Sequence, residues 1–249
     1  PPPCRPAAGG RRVPLHARPG AGRGCRAAQR AEFGWAARRV AAARGLELAG
    51  TWSHLATSDS DPTYAREQFE RFRAATQGLP GIRHVANSGA VRRHPEMALD
   101  AVRVGIAMYG CEDPSLAPAL QLRARVAQVK MVAAGASVGY GRTWKAVEPT
   151  RIATVSIGYA DGVHRARSNR GEVLVRGRRL PLVGQVSMDS ITLDASAVPE
   201  IEAGDAATLI GGDGGEWLWA EEVAGWSASI SYEVLTSIGR RVERVYRGP

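Results

Sequence analysis

The strongest constraint in this sequence is a change of texture along the chain. Between residues 32 and 106, helix-like and strand-like segments alternate, and after Gly110 nearly every apolar segment reads as a strand. Glu32 to Arg44 has helical apolar spacing through Phe33, Ala36, Ala37, Val40 and Ala41, and Gly45 suits the C-terminal cap. Leu46 to Leu55 then reads as a strand ending in Trp52-Ser53-His54. A second helix is predicted over Tyr64 to Thr76, with Phe69 and Phe72 on one face. A strand over Ile82 to Ala86 leads into Asn87-Ser88, a short helix over Gly89 to Arg93, and a strand over Ala101 to Val104. Such alternation argues for parallel βα units. Each strand has a polar residue at or near its C-terminal end: His54, Ser88 and Arg103. In βα barrels active sites gather at that end, although each residue taken alone also reads as a satisfied polar group.

The later region reads as a β domain. Strands are predicted over Leu122 to Val132, Arg151 to Ile157, Glu172 to Val175, Leu180 to Val186, Ser190 to Leu193, Ala206 to Ile210 and Val242 to Tyr246. Arg176-Gly177-Arg178 has the character of a hairpin turn, with glycine supplying positive φ. Gly211 to Gly215 is a second turn run, and helices are confined to Ala220–Ala224 and Tyr232–Ile238. The chain therefore divides into an irregular opening over residues 1–30, a βα piece over 31–118 and a β domain over 119–249.

Charge locates in one place. The formal net charge is +9, and residues 1–30 hold seven arginines and no acid, which leaves +2 for the other 219 residues. The basic signal belongs to that opening, so a nucleic-acid-binding face on the folded body is not expected. The opening begins at Pro1, is rich in Pro, Gly, Ala and Arg, and shows no apolar periodicity, so it reads as a disordered or damaged segment. No apolar run approaches the ~20 residues that span a bilayer, and no membrane partner is expected. Cys4, Cys25 and Cys111 are too few and too scattered for a disulfide framework or a zinc site, which points to a reducing, cytoplasmic setting. His54, His84, His94 and His164 show no ligand spacing, so no metal is expected.

Several short motifs carry chemistry. Gly139-Tyr140-Gly141 is either a plain tight turn or a device that turns the phenol outward. Gly158-Tyr159-Ala160-Asp161-Gly162 follows a buried strand, Met188-Asp189 follows another, and Ser229 or Ser231 is placed to cap the helix containing Tyr232.

Together these segments resemble the alanine racemase family. His84-Val85-Ala86-Asn87-Ser88 and Val102 to Gly110 are similar to its later barrel portion, and Val138 to Thr143 to its tyrosine loop. Ile157 to Gly162, Gly184 to Asp189 and Ile230 to Val234 resemble its β-domain motifs in the same order. The resemblance implies the C-terminal portion of a (β/α)8 barrel followed by a mostly β-strand domain. It implies a pyridoxal 5′-phosphate (PLP) enzyme that interconverts L- and D-alanine, supplies D-alanine for the cell wall, and works as a homodimer with shared active sites. Racemisation needs acid/base groups on both faces of the substrate Cα. The family uses a lysine that also carries the cofactor, and a tyrosine matched by Tyr140. Arg103 matches the arginine facing the pyridine nitrogen, and His54 the histidine between that arginine and the tyrosine. Ser88, Gly105, Ile106 and Tyr232 match contacts to the cofactor phosphate. Arg23 falls where the family has an arginine near the cofactor and the substrate carboxylate. Met188, Asp189 and Tyr159 match residues at the substrate entrance.

Two departures stand out. The lysines of this sequence are Lys130 and Lys145, both in the β region, and neither has the family's Lys-Ala-aromatic-Gly neighbourhood. The opening thus reads as an N-terminally truncated racemase lacking the PLP lysine, with a catalytically inactive dimerisation or interaction module as the alternative. Gln185 stands where the family commonly has arginine.

Overall fold

The computed structural model describes residues 11–16 and 28–247, and no helix among them is long and apolar enough to cross a membrane. The chain partitions into one unit that ends at Gly105 and another that begins at Ile106.

The first unit is built on three parallel strands in the order β1 (Arg11–His16), β2 (Leu46–Trp52), β3 (Ile82–His84). β1 lies inside the stretch that composition reads as irregular. It offers only Val13 and Leu15 as apolar positions, and its register with β2 shifts between Val13 and Pro14. Proline has no N–H to give a ladder and is tolerated on an edge strand, and β1 is at the end of the row among the described residues. Helix α1 (Ala28–Ala42) precedes β2, and α2 (Pro62–Thr76) connects β2 to β3. The start of α2 is fixed by Asp61, whose carboxylate accepts from the Tyr64 N–H at 3.0 Å, and by Pro62 in the first turn. Its buried face, Ala65, Phe69 and Phe72, packs with Leu55, Val85, Ala86, Ala90 and Met97.

Past β3, Asn87 caps α3 (Ser88–Arg93) by accepting from the Ala90 N–H at 3.0 Å. The strand predicted over Ala101–Val104 does not form. Only a single parallel bridge joins Arg103 to Asn87, anchored by the Arg103 N–H on the Ala86 carbonyl at 2.9 Å.

The second unit is a seven-stranded antiparallel sheet. Its strands are β4 (Leu122–Val132), β7 (Thr150–Val155), β8 (Glu172–Val175), β9 (Arg178–Pro181), β10 (Ile191–Asp194), β11 (Ala206–Asp213) and β12 (Glu216–Leu218). The row runs β10-β7-β4-β11-β8-β9, with β12 paired to β11. A bridge between Leu182 and Leu193 links the two ends of the row, so the sheet closes on itself around a core that includes Val155, Val173, Leu180, Leu193 and Leu209. A separate small hairpin is made by β5 (Ser137–Val138) and β6 (Trp144–Lys145). Helices α4 (Ala220–Trp226) and α5 (Ser231–Ser237) follow.

The β8–β9 turn has positive φ at both Arg176 (+52°) and Gly177 (+73°), the backbone of a two-residue hairpin matched to strand twist. Several boundaries differ from the sequence reading. The predicted Leu180–Val186 strand stops at Pro181. The predicted turn run is largely strand, because β11 extends to Asp213 and only Gly214 and Gly215 make the turn into β12. The final strand over Val242–Tyr246 is absent: Val245 and Tyr246 are exposed, and the Arg244 guanidinium instead bonds the carbonyls of Ile238, Gly239 and Val242. A segment with strand-favouring residues makes a strand only where a neighbouring edge accepts it.

Candidate active site

In the first unit the carboxyl ends of β2 and β3 bring Ser53-His54, His84 and Asn87-Ser88 beside Arg103. The Arg103 Nη1 lies 2.8 Å from His84 Nδ1 and 3.0 Å from the His84 carbonyl oxygen. Its Nη2 donates to the Ser53 carbonyl at 2.6 Å, reaches His54 Nδ1 at 3.3 Å, and lies 3.4 Å from the Val85 carbonyl. A guanidinium can only donate. Both imidazoles therefore accept at Nδ1 and carry their proton on Nε2. Burial, and then the charge of Arg103, lower the pKa of His54 and of His84, which favours the neutral rings this geometry requires. Burial also lowers the pKa of Arg103.

Close by in sequence, the Ser88 hydroxyl oxygen accepts from the Gly105 N–H at 2.9 Å. A Cβ placed on Gly105 would meet no atom within 4 Å, so the backbone is open to an approaching group. The structure thus gathers the predicted residues His54, Ser88, Arg103 and Gly105 in one unit. Arg23 lies outside the described residues. His84 is a functional candidate that the sequence reading set aside for lack of ligand spacing. Its contribution depends on two strand ends lying side by side, which no local spacing encodes.

In the second unit Tyr140 opens a short turn between β5 and β6, flanked by Gly139 and Gly141 at φ +78° and +69°, and its side chain is 75% exposed. A Cβ on Gly139 would approach the Gln185 backbone nitrogen to 3.0 Å, so the tyrosine loop rests closely on the Gly184–Gln185 segment. That segment is held by Asn169, which accepts from the Gly184 N–H at 2.6 Å and donates to the Thr143 hydroxyl at 3.0 Å. Gln185 accepts from Arg165 at 2.9 Å, a bond that an arginine at 185 could not accept.

Tyr159, Met188 and Asp189 also come together. The Tyr159 and Ala160 N–H groups donate to the Ser187 and Met188 carbonyls, each at 3.0 Å. A Cβ on Gly158 would lie 2.3 Å from both carbonyl oxygens, so glycine alone permits this approach. Arg241 ties the loops from outside, and the sequence reading missed it because it precedes an expected strand. Tyr232 stands exposed on the first turn of α5, whose N-cap is Ile230 without a side-chain cap. Neither serine takes the predicted capping role: the Ser231 hydroxyl donates to Glu112 at 2.5 Å and that of Ser229 donates to Glu233. The Ile106 side chain is buried in the core of the second unit, which leaves its backbone as the part that can meet a ligand. Among the described residues no cluster of three or more His, Cys, Asp or Glu could hold a metal ion.

The sequence profile of the alanine racemase N-terminal domain matches residues 11–113, and that of the alanine racemase C-terminal domain matches residues 119–246. The chain belongs to the alanine racemase family. An alanine racemase from Desulfosudis oleivorans is 45% identical over 217 residues, 81% of this chain and 56% of that relative. Alanine racemase from Streptomyces coelicolor A3(2) superposes with a TM-score of 0.88 at 36% identity, covering 96% of this chain and 67% of that one. The Bartonella henselae alanine racemase, described with covalently bound pyridoxal phosphate, gives 0.82 at 31% identity over 95% and 66% of the two chains. The chain thus spans between about half and two thirds of the length of these relatives. The family's barrel and β-rich domains account for the parallel and antiparallel sheets.

Proposed function

We propose that this chain carries the arginine, histidine and phosphate-facing side of a PLP-dependent alanine racemase site. The observation that carries this reading is Arg103, a cation held by two imidazoles and backbone carbonyls, with no carboxylate bonded to it among the described residues. The residues fit the group. A donor that does not give up its proton suits an unprotonated pyridine nitrogen, and the hydroxyl of Ser88 beside the open backbone of Gly105 suits a phosphate. By the family resemblance, Tyr232 and the backbone at Ile106 are the remaining candidates for phosphate contact. When bound, PLP spreads the negative charge left on the substrate Cα after its proton departs.

The chain's own groups then have defined tasks. Arg103 keeps the ring nitrogen hydrogen-bonded without protonating it. In this reading His54, fixed by Arg103 on its Nδ1, offers its Nε2–H to the phenol oxygen of a Tyr140 that comes from the other protomer. A hydrogen bond donated to a phenolate stabilises the charged form and makes a tyrosine a better base near neutrality. Tyr159, Met188 and Asp189 line the substrate entrance. In a homodimer with composite sites, Tyr140 of one protomer serves the cofactor held by its partner. Lys130 and Lys145 both lie in the second unit, on β4 and β6, and take no part. D-Alanine for peptidoglycan, made in the cytoplasm, is the physiological role that goes with this reading.

The test joins this chain to the portion of the Desulfosudis oleivorans relative that it does not cover. With PLP the joined protein should interconvert L- and D-alanine, and Tyr140→Phe should lower the rate by at least about 100-fold, the scale of a lost acid/base group. Tyr140→Phe and Ser88→Ala chains should recover activity when mixed. A folded, PLP-loaded joined protein that racemises no alanine would reject the reading and favour an interaction module.

A further inference from the structure

The carboxyl end of the parallel sheet contains one large side chain that the proposed chemistry does not use, Trp52. It is the last residue of β2, and in the parallel pairing it stands opposite His84, the last residue of β3. The two rings are stacked, with centroids 6.2 Å apart and planes 13° from parallel. The Arg103 guanidinium carbon lies 4.9 Å from the centre of the Trp52 ring, while its Nη1 bonds the His84 Nδ1 at 2.8 Å. Tryptophan, histidine and arginine therefore form a closed set of three contacts, and two of its members sit on strands rather than loops.

We propose that Trp52 is a positioning residue for Arg103. Its indole packs the guanidinium so that the N–H groups stay aimed at His84 and His54 and the cation stays available to the cofactor. The hydrogen bonds to Arg103 come from acceptors around its edge, which leave the plane free to tilt. An aromatic surface against the cation resists that tilt and keeps water away, and arginine gains from such stacking in a way lysine does not. The stack also locks the His84 ring, whose Nδ1 must face Arg103. The functional meaning rests on the reading of Arg103 as the cofactor's ring-nitrogen partner; the contact itself does not.

The experiment uses the full 249-residue chain and three variants, Trp52→Leu, Trp52→Phe and Arg103→Gln. NMR follows the arginine side-chain protons and the histidine ring titrations, and PLP affinity is measured by absorbance titration. In the unmutated chain the Arg103 protons should be shifted upfield by the indole ring current. Ordinary arginine shifts there would overturn the proposal without any variant, so a misfolded Trp52→Leu cannot rescue it. Trp52→Leu should raise the His84 titration midpoint and weaken PLP binding about two- to fivefold, the scale of a partly exposed cation–π contact. Trp52→Phe, which keeps a ring, should stay close to the unmutated chain. A folded Trp52→Leu with unchanged His84 titration and PLP affinity, beside an Arg103→Gln that binds PLP more weakly, would overturn the proposal alone. PLP affinity unchanged in Arg103→Gln would instead overturn the reading of Arg103.

Discussion

The Arg241 guanidinium donates to the Asp189 carboxylate across 2.6 Å, while its Nε reaches Asp161 at 3.0 Å. Asp161 in turn accepts from the Gly158 N–H at 2.9 Å. One arginine thus joins the loop of Tyr159 to the loop of Met188 and Asp189. The bond to Asp189 is exposed and screened by solvent, so by itself it contributes little to stability. Asp161 is nearly buried, and depriving it of a charged partner costs on the order of 1–3 kcal/mol.

Arg241→Met should therefore lower the thermal midpoint and speed hydrogen exchange at the Tyr159 and Ala160 amides. Hydrogen-exchange mass spectrometry of this segment checks it. Exchange at the rate of the unmutated chain would show that the backbone bonds hold the loops unaided.

A second prediction concerns pH. His54 and His84 both titrate below their ordinary value of 6.5 in the folded chain, by burial first and the charge of Arg103 second. The unfolded chain then binds more protons than the folded one as pH drops below about 6.5, so stability rises with pH across that window. The contribution is fully present above pH ~6.5 and is lost as pH falls through the lowered folded values. Thermal melts between pH 5 and 8 should show this slope, and His84→Gln should flatten part of it. An equal slope in the variant would assign the effect to other groups.

How much of this was legible in sequence depends on where each interaction is encoded. Arg103, Ser88 and Tyr140 sit in contiguous motifs, so their neighbourhoods travel with them. The helix predicted over Tyr64–Thr76 was readable because Phe69 and Phe72 fall on one face, while its start lies two residues earlier, at Pro62, where Asp61 caps it. β1 was not, since two apolar residues around a proline give too short a pattern. Val242–Tyr246 failed for another reason: its β-branched and aromatic residues suit a strand, but among the described residues no strand edge receives it. His84 and Arg241 act through residues 19 and 52 positions away, across strand ends and loop tips that only the fold brings together.

The third prediction concerns Cys111. It is buried, and burial followed by the charges of Glu221 and Glu112 pushes its thiol up to about 11. Thiolate is the reactive form. Iodoacetamide at pH 8 should leave Cys111 unmodified in the native chain and modify it in guanidinium chloride, as read by peptide mapping. Rapid native labelling would mean that the segment around Cys111 opens freely.

The central claim is that Arg103 organises a PLP site in a chain whose two lysines stand elsewhere. The most direct test titrates PLP into the 249-residue chain and into Arg103→Gln, then reduces each mixture with borohydride and maps the peptides. Saturable binding that weakens about 10- to 100-fold in the variant is expected, the scale of losing a hydrogen bond to a charged group. Lys130 and Lys145 should emerge unmodified. Equal affinity in the two proteins, or a stoichiometric adduct on Lys130 or Lys145, would contradict the account.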